Sequence, residues 1–447
     1  MSEDDNLKVR KVPVVPAWEF YKNSLRILEN PLIFHRKKFE KLGDTFRLKI
    51  GPGSSVIFSR NAAFAQYALQ KNQKNFSKTT IQTRDMAKYL GQGLLTSEGE
   101  HWKKQRKLIQ PAFHKKKLVL LLESIKSAIS TELNKIETGK SIDIFPIFND
   151  LAFQTVVKSL FSSAVGQKEI NRLQYITEAA QRMLVKELRQ PYLGWWFTFS
   201  GKIKEHIDLT NEARDILRML IDERRTSGER QDDLLDMLLE ARYDDGSSME
   251  NEQLIDEILI LFTAGHETTS NALTFTAQLL SRHPEAQEKI LEEVKKAERD
   301  TNTIIEFIQA CSYTKMVLEE AMRLYPPAYF IDRVNNEDDV FDGMMIPKGS
   351  SLLFSMYEIH RHKDFWNEPE EFRPDRFEDP KKYSSCYYPF GAGPRMCIGN
   401  NFAMYEMILA VAQLVSRYRI KHKEDPIEIT PLITLKPKNA VLEFYPQ

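Results

Sequence analysis

The chain has 447 residues, with 63 Lys and Arg against 63 Asp and Glu, and 42% of its residues are hydrophobic. This balance gives no support to a partner held by bulk charge, such as nucleic acid or an anionic membrane, and leaves only local basic patches as electrostatic docking surfaces. Its three cysteines, Cys311, Cys386 and Cys397, are odd in number and fit neither a disulfide framework nor a zinc site, so a reducing cytoplasm is the expected location.

The N-terminal Met1-Ser2-Glu3-Asp4-Asp5-Asn6 is acidic and polar, and no later stretch approaches the roughly 20 apolar residues that span a bilayer. A soluble monomer with neither signal nor membrane anchor is expected. No Gly/Ser linker, repeat or low-complexity run divides the chain, so a single domain over residues 1–447 is expected.

Thr45-Phe46-Arg47-Leu48-Lys49-Ile50 alternates polar and apolar, breaks at Gly51-Pro52-Gly53 and resumes as Ser55-Val56-Ile57-Phe58, the pattern of a β-hairpin. Helical periodicity then dominates from Ala62 onward, in Leu118–Ile136, Asn211–Arg225, Glu250–Arg282 and Pro284–Arg299. Strand-like sequence returns from Tyr329 through Val340-Phe341 to Ser351-Leu352-Leu353-Phe354, and Val441-Leu442-Glu443-Phe444 alternates again. The expected fold class is mainly α with a minor β region, strand-rich near 45–60, 329–355 and 430–445.

Several constellations along this plan carry chemistry. Trp102 and Arg106, four apart, share a helix face and offer an indole N–H and a guanidinium to one carboxylate; Arg333 is a third donor, and each arginine also reads as an ordinary surface charge. In the helix from Glu250, the run Ala264-Gly265-His266-Glu267-Thr268-Thr269 is poor in helix formers. Thr268 can turn its hydroxyl onto the Ala264 carbonyl, opening the ladder and leaving space for a small molecule, with Glu267 and Thr268 as an acid and hydroxyl pair. A kinked helix with a satisfied threonine is the alternative. Glu320 and Arg323, three apart, form with Arg376 of Pro374-Asp375-Arg376-Phe377 a candidate buried triad.

Phe390-Gly391-Ala392-Gly393-Pro394-Arg395-Met396-Cys397-Ile398-Gly399 presents a cysteine just before an apolar helical stretch. Small residues allow close approach to a flat macrocycle, Phe390 can shield the sulfur, Arg395 can pair with a haem propionate, and the following helix N-terminus favours a thiolate. A surface turn with an incidental buried cysteine is the plain alternative.

Taken in order, Trp102/Arg106, Ala264–Thr269, Glu320/Arg323, Pro374–Phe377 and Phe390–Gly399 resemble the successive signatures of the cytochrome P450 family, and the resemblance covers essentially the whole chain. It implies a triangular helical body with a long central helix over haem b, iron ligated by Cys397, and oxygen activation beside Thr268. Cofactor contacts implied are Trp102, Arg106, Ala264, Arg333, Phe390, Arg395, Cys397 and Gly399, with Glu320, Arg323 and Arg376 as a structural lock. One oxygen atom enters the substrate and the other becomes water, in a hydroxylation or an oxidative demethylation.

The family's peroxide-using branch replaces the acid and hydroxyl pair with arginine and proline. This chain keeps Glu267-Thr268, so dioxygen with electrons from NAD(P)H is expected, delivered by a separate ferredoxin or flavodoxin and its reductase, as in a bacterial type. Lys103, Lys104, Lys107, Lys115, Lys116 and Lys117 form a candidate docking face for such an acidic partner; a merely solvated helix face would look the same.

By the same resemblance the substrate pocket draws on Ile81–Leu94, Met183–Phe197, Ile260–Ala264, Ala328–Ile331 and the turn at Ile433-Thr434-Leu435. One reading is a fatty acid or other amphipathic molecule, its carboxylate met by Arg84 and its tail by Phe262, Phe330 and Leu435. The other is a methylated sugar or aromatic methyl ether, stacked on an aromatic such as Tyr329 or Trp195-Trp196, held by Gln82 or Gln92 and demethylated with release of formaldehyde; core packing or a lid surface is the alternative for Trp195-Trp196. A haem sensor or electron carrier remains as a different class, one that would not need Glu267-Thr268.

Overall fold

A computed structural model describes residues 10–51, 53–162, 165–379, 381–422 and 425–447. The acidic Met1–Asn6 segment and Pro52 of the expected hairpin turn lie outside the described residues. The chain packs as two compact units. The first comprises residues up to Thr79, then Arg323–Glu371 and Asp379–Cys397; the second comprises Thr80–Met322, Phe372–Glu378 and Ile398–Gln447.

The first unit is built on a six-stranded sheet of β1 (Val14–Val15), β2 (Thr45–Gly51), β3 (Ser54–Ser59), β4 (Phe76–Ser77), β5 (Phe330–Asn335) and β6 (Ser351–Ser355), in the order β1-β2-β3-β6-β5-β4. The expected hairpin is β2 with β3, antiparallel with Phe46 opposite Phe58. Alternation decides which face packs: Phe46 and Leu48 are buried while Lys49 is exposed. Phe46 stacks on Phe58 at 5.3 Å and meets Phe39 edge-on at 5.0 Å, so truncating Phe46 to Ala would cost about 3–5 kcal/mol.

The second unit is helical. Its site-bearing helices are α1 (Gly99–Ile109), α2 (Phe145–Phe161), α3 (Gln167–Arg189), α4 (Gly194–Phe199), α5 (Lys202–Ser227) and α6 (Asn251–Leu280). Then come α7 (Ser312–Leu324), which runs across the division between the units, and α8 (Asn400–Arg417). An antiparallel pair, β7 (Glu428–Pro431) and β8 (Leu435–Lys438), follows α8. No helix among the described residues is long and apolar enough to cross a membrane.

At 30 residues α6 is about 45 Å long. Most of it is buried, and its threonines fit that setting by turning inward on their own helix: Thr268 Oγ1 donates to the Ala264 carbonyl at 2.6 Å, Thr274 to Ser270 and Thr276 to Ala272, each at 2.7 Å. The expected opening of the ladder does not occur. The helix runs through Ala264–Thr269 uninterrupted, and Gly265 has a packing reason: an added Cβ would lie 3.0 Å from Val156 Cγ2 on α2. Close approach of two helices, and not a break, is why a residue that costs about 1 kcal/mol in a helix interior sits here.

Candidate active site

The cysteine loop in the first unit is fixed by backbone bonds. Cys397 N–H donates to the Phe390 carbonyl at 2.9 Å, Met396 to Gly393 at 3.0 Å and Gly391 to Tyr388 at 3.1 Å. Gly393 has φ +72°, and an added Cβ would fall 1.9 Å from the Leu69 carbonyl oxygen. Glycine is required there by protein packing as well as by conformation. Of the three cysteines, only Cys397 is exposed, and none forms a disulfide. Burial pushes the Cys311 and Cys386 thiols up to about 12, which keeps them neutral.

Arg323 supports this loop through a residue that sequence reasoning missed. Its guanidinium is fully buried and donates to the carbonyls of His360 at 2.9 Å, Pro369 at 2.7 Å and Glu371 at 3.0 Å. The His360 ring in turn accepts the Tyr388 N–H at Nε2, 2.9 Å away, two residues before Phe390. Arg333 is buried on β5 and donates to the Asp332 carbonyl; Arg395 donates to the Phe76 carbonyl at 3.3 Å, and Phe390 is half-buried. Tyr329 is buried, packed on Phe330 at 4.9 Å.

In the second unit, Ala264 is exposed, and Gly265, Glu267 and Thr268 are half-buried, in the middle of the otherwise buried α6. Here the expected acid and hydroxyl pair has further company. Glu267 Oε1 accepts the Thr434 hydroxyl at 2.7 Å, and Thr434 Oγ1 accepts the Asn271 side-chain N–H at 3.0 Å. His266, between Gly265 and Glu267, turns the other way: it is buried, meets Phe153 of α2 edge-on at 5.3 Å, and burial lowers its pKa to about 4.

Glu320 is fully buried and accepts the Arg373 backbone N–H at 2.8 Å and Arg376 Nε at 3.3 Å, so two members of the expected triad meet directly. Trp102 is buried on α1, and Arg106 Nε donates to Gln110 at 3.1 Å. Gly399 caps α8, which starts at Asn400. Within the lysine cluster, Lys103 pairs with Glu100 at 2.5 Å and Lys107 with Asp244 at 2.7 Å, while Lys104, Lys115, Lys116 and Lys117 are exposed.

The expected substrate contacts separate into different settings. Met86, Tyr89, Leu90, Met183, Leu184, Phe197 and Ile260 join one apolar cluster. Arg84 lies outside it, its side chain 73% exposed and forked onto Asp85 at 2.8 and 3.2 Å. Phe262 faces α2 against Phe153 at 5.4 Å, a core position. Trp195 and Trp196 are exposed, edge-on to each other at 5.9 Å. Gln92 is exposed but anchored by its backbone N–H on Asp256 at 2.7 Å, Leu435 is buried, and the Gln82 side-chain oxygen is buried without a hydrogen bond. A groove of about 900 Å³, bordered by His101, Lys104, Tyr243 and Asp244, contains none of these candidate residues.

Comparison with known proteins identifies the frame in which these residues sit. The chain is 28% identical over 422 residues to a pentalenene oxygenase of Streptomyces avermitilis, covering 93% of this chain and 91% of the relative. It is 28% identical over 384 residues to a cyclooctat-9-en-7-ol 5-monooxygenase of Streptomyces melanosporofaciens, covering 85% and 83%. A plant relative, an 11-oxo-beta-amyrin 30-oxidase of Medicago truncatula, is 31% identical over 383 residues, covering 80% and 72%. Bacterial and plant relatives together leave the source type open. Residues 12–444 match the cytochrome P450 family, and the chain belongs to it, as a haem-thiolate monooxygenase.

Proposed function

We propose that this monooxygenase oxygenates an apolar skeleton of terpenoid type, gripped by shape and apolar contact with no charged anchor. The observation that carries this reading is the apolar cluster around Met86, Leu90, Met183, Leu184, Phe197 and Ile260, drawn from the segments expected to line the pocket. Arg84, the cation required for a fatty-acid carboxylate, is turned to solvent and forked onto Asp85. Gln82 is the acceptor for a substrate hydroxyl, since its buried oxygen lacks a partner. Relatives named for pentalenene, cyclooctat-9-en-7-ol and 11-oxo-beta-amyrin support the same class.

The residues of the first unit fit haem b: an exposed cysteine in a loop held by backbone bonds, with Arg333 and Arg395 as the propionate donors of that unit. Bound through Cys397, haem supplies the one-electron and dioxygen chemistry. The side chains do the rest. Thr268 holds its hydroxyl hydrogen on the Ala264 carbonyl, so it must release that carbonyl before it can pass a proton on. Glu267 is the acid that resupplies it. Electrons originate in NAD(P)H and arrive through an acidic ferredoxin or flavodoxin docked on exposed Lys104, Lys115, Lys116 and Lys117.

A panel of terpenoid hydrocarbons and alcohols, fatty acids, aromatic methyl ethers and methylated sugars, read by the substrate-induced shift of the haem spectrum, tests the substrate class. Terpenoids should give the tightest shifts. Tighter binding of fatty acids would overturn the reading, as would formaldehyde release from a methyl ether as the preferred reaction.

A further inference from the structure

Glu267 is tied into a relay that neither the sequence motif nor the family frame assigns. Thr434 sits in the turn between β7 and β8 and donates its hydroxyl to Glu267 Oε1 at 2.7 Å. Asn271 lies one turn further along α6 than Glu267, is fully buried, and donates its side-chain N–H to Thr434 Oγ1 at 3.0 Å. The order of donors is therefore set. Because the amide nitrogen has only hydrogens to offer, the Thr434 oxygen is the acceptor there and its one hydrogen is committed to the carboxylate. One bond fixes the Glu267 carboxylate, and the other, from the buried Asn271 amide, fixes the Thr434 hydroxyl that makes it.

We propose that Thr434, oriented by Asn271, is a positioning residue that holds the Glu267 carboxylate in a resting orientation and governs when it delivers a proton. The turn that holds Glu267 also carries the exposed Ile433, in the segment expected to meet substrate. This inference rests on the assignment of Glu267 and Thr268 as the proton-delivering pair.

Thr434→Val keeps the shape and removes the hydroxyl, while Thr434→Ser restores it. In haem-loaded protein supplied with ferredoxin, its reductase and pentalenene, Thr434→Val should raise the peroxide released per NAD(P)H about tenfold, the effect of one lost hydrogen bond to a carboxylate. It should also displace the pH profile of coupling, and Thr434→Ser should return both to the wild-type values. A second readout needs no turnover: the Tm changes of Thr434→Val and Glu267→Ala should be non-additive in the double variant. Additive Tm changes, or unaltered peroxide release in Thr434→Val, would overturn the proposal. Thr268→Ala separates the two levels. If it uncouples while Thr434→Val does not, only the positioning role fails; if it does not uncouple, the underlying assignment fails too.

Discussion

Exposure separates the cysteines: Cys311 and Cys386 are buried thiols, and Cys397 is exposed in a loop that backbone bonds hold rigid. Thr268 makes a similarly specific commitment to the Ala264 carbonyl. Thr268→Ala should therefore retain haem and fold, yet divert reducing equivalents to peroxide; unchanged coupling would remove Thr268 from proton delivery. His266 gives a prediction of a different kind, since burial lowers its pKa from 6.5 to about 4, with the Glu178 carboxylate opposing the shift and the Lys436 cation adding to it. The folded state keeps the ring neutral while the unfolded chain takes up a proton below 6.5. Its contribution to stability is thus complete above 6.5 and is lost as pH falls towards 4, a difference of about 3 kcal/mol. His266→Phe, which keeps a ring against Phe153, should abolish that part of the pH slope in urea unfolding, and an unaltered slope would assign it to other groups. The motif around His266 was legible in the sequence, but the side each residue faces was not. Gly265 looked like a weak point in the helix until Val156 supplied the reason for it.

Elements were legible where the pattern is local. The β2–β3 hairpin and α6 both occur where alternation and apolar periodicity placed them, while α5 begins at Lys202, nine residues before the expected Asn211; its first turns are mostly polar and carry only the sparse pair Ile203 and Ile207 on their packed face. What local pattern does not carry is long-range pairing: Thr434 lies 167 residues from Glu267, and His360 lies 28 residues from Tyr388. The same holds for the segment Gly91–Leu94. Asp256 accepts the Gln92 N–H at 2.7 Å and pairs with Arg214 of α5 at 2.6 Å, while Glu257 accepts the Leu94 N–H at 2.9 Å. Gly91 has φ +76°, and a Cβ there would lie 2.0 Å from Asp256 Oδ1. Gly91→Ala should consequently destabilise the protein by about 2–4 kcal/mol in denaturant titration; a loss below about 0.5 kcal/mol would mean the strap yields freely. In α7, Glu320→Ala leaves Arg376 and the Arg373 N–H without their buried acceptor. It should yield protein that fails to incorporate haem, so a folded, haem-loaded variant would contradict the structural lock.

For the whole molecule, zero formal charge conceals a local asymmetry, with exposed Lys104, Lys115, Lys116 and Lys117 close together in sequence. If an acidic partner docks there, raising the ionic strength should slow its reduction of the enzyme, whereas a salt-independent rate would dismiss that face. Class and chemistry were readable at this scale because five motifs fall in family order along the chain, and the match over residues 12–444 agrees with them. Substrate was not readable, because the segments that line the pocket are defined by which side chains turn inward, as Arg84 and Phe262 show by turning elsewhere. All of these assignments depend on the ligand that Cys397 provides. The most direct test is the CO-difference spectrum of the reduced protein, wild type beside Cys397→His. The wild type should show the red-shifted Soret band of a thiolate-ligated haem, lost in Cys397→His while haem is retained; a wild-type protein without that band, or a variant that keeps it, would rule out Cys397 as the ligand.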